Sequence, residues 1–135
     1  MKRTMKKLSA VMLLSAMAVF LLSMISVEYQ TPWEVPAKYK TMENPTSGDD
    51  ESIQAGTMLY KKHCASCHGK AGKGDGVKAR QLETFPGDMS SEAFKSQTDG
   101  EIFYKSKFGR DEMPSYENKV EDEDIWHMVN YMKTF

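Results

Sequence analysis

Residues Tyr60–Gly76 read YKKHCASCHGKAGKGDG. It holds both cysteines of the 135-residue chain, two of its three histidines and four of its nine glycines. Cys64 and Cys67 stand three apart, and His68 follows directly. Helical spacing runs up to the pair: ESIQAGTMLYKKH places Ile53, Gly56, Leu59 and Tyr60 at helical intervals after an Asp/Ser-rich start.

Three chemistries use a C-x-x-C pair. A disulfide closing so small a loop removes little entropy from the unfolded chain and is a poor staple. A thioredoxin-like redox pair expects a βαβ setting, and strand-like alternation is absent here. The third is C-x-x-C-H, the attachment signature of c-type haem. Cys64 and Cys67 then form thioether bonds to the porphyrin, and His68 is the proximal iron ligand. One covalent haem c also answers a physical need, because a domain this short buries a thin core and wants a staple. The following GKAGKGDG is not a phosphate loop, since it lacks the G-K-[ST] ending. Its glycines suit a backbone that turns tightly beside the haem edge.

A low-spin electron carrier needs a second axial ligand, and a methionine thioether is one known choice. The candidates are Met89, Met113, Met128 and Met132. Met128 and Met132 lie on the apolar face of the last helix and read as core. Met89 lies in the polar loop FPGDMSS. Met113 lies in GRDEMPSY, where Gly109 permits a sharp turn before it and Pro114 stiffens the backbone after it. Met113 is the expected ligand.

The rest of the domain reads as helices and loops. Thr98-Asp99-Gly100-Glu101 matches a capping box, with EIFYKSKF following and Gly109 ending it. Ser90 or Ser91 caps a short EAFKSQ helix. In EDEDIWHMVNYMKTF, Ile125, Met128, Val129 and Met132 share one face, and the acidic start complements the helix dipole. The expected fold is all-α, with long loops after His68 and around Pro86 and Pro114.

Upstream, Lys2, Arg3, Lys6 and Lys7 precede an uncharged run, Leu8–Val27. Residues 1–27 read as an export signal or a membrane anchor. The run is about 20 residues, enough to span a bilayer. Its best small-x-small cleavage site, Ala16-Met17-Ala18, falls inside the apolar stretch, which favours an uncleaved anchor with the domain outside. Residues 28–50, broken by Pro32, Pro36 and Pro45, read as an extended linker, on which Trp33, Val35 and Tyr39 are apolar exceptions suited to packing on the domain. The domain is expected over 51–135. Four of the 18 basic residues sit in the N-terminal head, so the remainder is acidic and gives no electrostatic reason to bind nucleic acid.

In combination the CASCH motif, GKAGKGDG, MPSY and the closing DEDIWHMVNYMKTF resemble the class I cytochromes c, specifically the small bacterial single-haem kind. The resemblance covers about 51–135 and implies a few short helices and loops wrapped around one haem. It also implies single-electron transfer in the periplasm or at the outer face of the membrane, with redox partners bound through a small transient interface. It puts a close crossing of first and last helices at Gly56 and Tyr60 against Trp126 and Tyr131. Pro86 would support His68 from the proximal side, with the other ring N–H of His68 donated to a backbone carbonyl. His63 is expected at the surface, and His127 exposed or partly packed. Tyr104, Tyr116 and Trp126 are placed equally well in the core or at the propionates. Two other readings remain: a subunit of a larger dehydrogenase or oxidase, and a five-coordinate haem peroxidase or sensor, for which an open iron position is required.

Overall fold

A computed structural model describes residues 32–135. The basic head, the apolar run 8–27 and the start of the expected linker lie outside the described residues. The chain divides at Trp33/Glu34, and the compact unit considered below is Glu34–Phe135. Six helices succeed one another in it: α1 (Ala37–Lys40), α2 (Asp50–His63), α3 (Ala65–His68), α4 (Glu92–Lys95), α5 (Asp99–Phe108) and α6 (Asp122–Met132). A 3-10 turn spans Ala79–Gln81. Among the described residues there is no strand, only an isolated bridge between Arg110 and Met113. The expected all-α fold is what forms.

Local chemistry sets the helix starts. Asp49 caps α2 by accepting from Ser52 N, Ser91 caps α4 through Phe94 N, and Thr98 with Glu101 forms the full capping box of α5. Each cap satisfies backbone N–H groups that the first turn leaves without partners. Three acidic residues occupy the first turn of α6, where the dipole favours them.

The core lies where α2 crosses α6 and α5 packs alongside. Tyr60, Ile125, Met128 and Val129 are fully buried, joined by Ile102, Phe103, Trp126 and Met132. Each such side chain contributes about 1.5–3 kcal/mol by leaving water. The crossing needs Gly56: a Cβ there would stand 2.0 Å from the His127 carbonyl oxygen. Tyr60 meets Tyr131 edge to face at 5.3 Å, as expected. Trp126 does not join that pair. Its ring instead stacks on Phe103 of α5 at 4.1 Å, because its position turns it toward that helix.

Residues 34–50 do not run free as an extended linker. Val35 is buried, and α1 puts Tyr39 against Phe103, Tyr104 and Phe108. Asn44 then donates to both Asn130 Oδ1 (2.8 Å) and Asp99 Oδ2 (3.1 Å). Packing therefore begins at Glu34 rather than Glu51, consistent with the apolar Val35 and Tyr39. Asn130 also donates to Ser52 Oγ at 2.7 Å, and the same hydroxyl is hydrogen-bonded to His127 Nδ1 at 2.7 Å. This polar network, invisible in the sequence, fastens the segment before α2 to α6.

Candidate functional site

Cys64 ends α2 and starts α3, so the two cysteines and His68 share a single turn. Cys64 N and His68 N close on Tyr60 O and Cys64 O, at 2.8 and 3.0 Å. The following loop folds back onto this turn. Lys78 N, Gly76 N and Gly74 N donate to the carbonyls of Ser66, Cys67 and His68, at 2.8, 3.1 and 2.8 Å. Two phenols hold its ends: Tyr116 Oη donates to His63 O and Tyr60 Oη to Gly69 O, both at 2.8 Å. The turn is thus fixed by its surroundings and not by its own short helix.

Cys64 and Cys67 are unbridged. Burial, reinforced by Cys67 beside it, pushes the Cys64 thiol up to about 12, so it is protonated at neutral pH. Its sulfur donates to Met128 Sδ at 3.9 Å. The imidazole of His68 is half-buried. Burial lowers its proton affinity, and the Pro86 carbonyl facing the ring opposes this only in part. Nδ1 is a buried polar atom without a hydrogen-bond partner. The Pro86 carbonyl faces the ring, but Nδ1 forms no hydrogen bond of good geometry, so the expected bond to a backbone carbonyl is not made.

Of the four methionines, Met89, Met128 and Met132 belong to the core, at 7%, 1% and 3% exposure. Met89 looks like a loop residue among polar neighbours, yet its N–H donates to Gly72 O at 2.7 Å and draws it inside. Met113 is only half-buried. It sits on a turn closed by two hydrogen bonds with Arg110, both 2.9 Å, with Asp111 at φ 52°. Gly109 (φ 64°) admits no side chain, since a Cβ would lie 2.3 Å from Met113 O. The turn is rigid in the way the Gly109–Pro114 context predicts.

Other residues fall out as packing. His63 is half-covered by the Tyr116 ring at 5.3 Å, not exposed, and burial lowers its proton affinity. Tyr116 has its hydroxyl engaged by His63 O, Tyr104 lies against Tyr39 and Phe108, and Trp126 is core. Among the described residues no cluster of three or more His, Cys, Asp or Glu forms a metal cage, and no helix is long and apolar enough to cross a membrane.

Two thiols on one turn, a half-buried imidazole beside them and a helical shell define a c-type cytochrome domain. Residues 51–132 match the family described as cytochrome c oxidase, cbb3-type, subunit III, and the chain belongs to that family. A chain from the Kuenenia stuttgartiensis reducing HAO-like protein complex shares the fold, with a TM-score of 0.62 and 24% identity. The match covers 79% of this chain and 52% of that one, so this chain spans about half the length of its neighbour. None of the curated proteins matches the chain. As a cytochrome c domain, residues 51–132 carry covalent haem c, a group whose iron cycles by single electrons. The donor set fits that group: two unbridged thiols share one turn with an imidazole whose proton affinity burial lowers, and a neutral imidazole is the form that binds metal.

Proposed function

We propose that Cys64 and Cys67 carry the haem through thioether bonds, that His68 and Met113 are its axial ligands, and that the protein is a low-spin single-electron carrier and not itself an enzyme. The observation that carries this reading is the half-buried, low-basicity imidazole of His68 on the same turn as both cysteines. When bound, haem c iron exchanges one electron between its ferrous and ferric forms.

The chain supplies geometry and environment. The turn holding Cys64, Cys67 and His68 is pinned by Tyr60, Tyr116 and the loop carbonyl bonds, so His68 keeps one orientation. Met113 rides on a turn closed by paired backbone bonds, which would hold its backbone in place whichever charge the iron carried. Small movement between the two states means little reorganisation opposes transfer. The soft thioether and the apolar surroundings favour the reduced state.

The domain works outside the cytoplasm. The basic head and the uncharged run Leu8–Val27 support an uncleaved anchor, with partners met through a small transient interface typical of redox encounters. The description of the family favours a second reading, in which the same chemistry serves as a permanent subunit of a larger assembly. Retention of a redox partner through purification from membranes separates the two.

Carbon monoxide tests the carrier reading. Added to the reduced, haem-loaded protein at neutral pH, it leaves the spectrum unchanged if Met113 fills the sixth position. Prompt formation of a carbonyl complex means an open iron, and turns the function toward catalysis or sensing.

A further inference from the structure

Glu112 precedes Met113 and is exposed, yet both of its carboxylate oxygens are engaged across the fold. Oε1 accepts from Glu83 N at 3.1 Å and Oε2 from Thr84 N at 3.0 Å. Solvated surface carboxylates have no need of such contacts. These two bonds join loops that otherwise belong to opposite halves of the site. One is the Gly109–Pro114 turn, closed on itself by Arg110 and Met113. The other runs from Leu82 to Pro86 and ends at the carbonyl that faces His68. It is seated in turn on the loop after the CASCH motif, because Phe85 lies over Gly74, where a Cβ would come within 2.5 Å of its ring. Gly74 N is bonded to the His68 carbonyl. A continuous chain of contacts therefore runs from Glu112 to His68.

We propose that Glu112 is the latch of the haem crevice, holding the turn that carries Met113 against the loop that supports His68. The inference rests on His68/Met113 ligation as set out above. Two charge-assisted bonds to fixed peptide groups resist separation of the loops. Displacing Met113 from the iron requires that separation, so the latch sets how readily a foreign ligand enters. Glu112 touches neither the haem nor a partner in this scheme and is a positioning residue.

Cyanide binding to the ferric, haem-loaded full-length protein tests it, with the methionine-to-iron charge-transfer band recorded beforehand. Glu112→Ala is expected to keep the band and to bind cyanide about five- to tenfold more tightly and faster than wild type. Glu112→Gln, which retains one accepting oxygen without the charge, falls between. Glu117→Ala, removing an exposed carboxylate from the next loop, controls for charge alone and stays at the wild-type value. Denaturant midpoints of all variants remain close to one another, which separates local opening from general loss of stability. Wild-type cyanide affinity in Glu112→Ala, with the band present in both proteins, overturns the latch alone. Absence of the band from wild type overturns the ligation reading and the latch with it.

Discussion

Gly56 of α2 lies so close to the backbone of His127 on α6 that a Cβ at position 56 would sit 2.0 Å from the His127 carbonyl oxygen and 2.9 Å from Tyr131 Cβ. Both obstacles are fixed, one being backbone and the other the root of a packed side chain. This contact sets the distance between the helix that delivers the attachment turn and the helix that closes the core.

Gly56→Ala measures it. In an open helix the change would stabilise by about 1 kcal/mol through propensity. Here overpacking exceeds that gain, and the haem-loaded variant is expected to lose about 2 kcal/mol or more in denaturant unfolding. Stability equal to wild type would mean that the helices separate freely and that the crossing carries little of the fold.

Tyr60→Phe keeps the ring contacts with Tyr131 and Phe135 and removes only the bond to Gly69 O. The acceptor lies at a buried residue, so the expected loss is about 1–2 kcal/mol. Tyr116→Phe, at a half-exposed site, is expected to cost less. Reversal of that order would show that the His63 end of the turn, not the Gly69 end, bears the constraint.

Acid sensitivity has a defined sign at His63. Burial against Tyr116 lowers its proton affinity in the folded state, so the unfolded chain binds the proton more readily. Its stabilising contribution is present above the ordinary histidine pKa of about 6.5 and is lost as pH falls through and below it. His63→Gln should flatten the decline of stability between neutral pH and about pH 5, as read by unfolding at each pH. A steeper decline in the variant would contradict the assignment.

The parts legible in the sequence are those written locally. The capping box at Thr98–Glu101 and the one-face pattern of Ile125, Met128, Val129 and Met132 each lie within a few turns of chain and form as read, and CASCH folds as one compact turn. What escaped depends on distant partners. Asn44 meets Asn130 across 86 positions, and Glu112 meets Thr84 across 28, with no periodicity to announce either contact. The segment 34–50 looked like a linker because its prolines break long helices. Its few apolar residues nevertheless suffice to dock it, and Gly100 leaves room for the Tyr39 carbonyl. Met89 and Trp126 were displaced from their expected places for the same reason: local polarity and family pattern say less than the neighbours that tertiary packing provides.

If His68 and Met113 hold the iron, the near-infrared spectrum of the oxidised, haem-loaded protein carries their signature. Wild type is expected to show the methionine-to-ferric-iron charge-transfer band, and Met113→Ala to lose it while still folding and retaining covalent haem. A wild-type spectrum without the band, or a band that survives in Met113→Ala, would rule out Met113 as the sixth ligand.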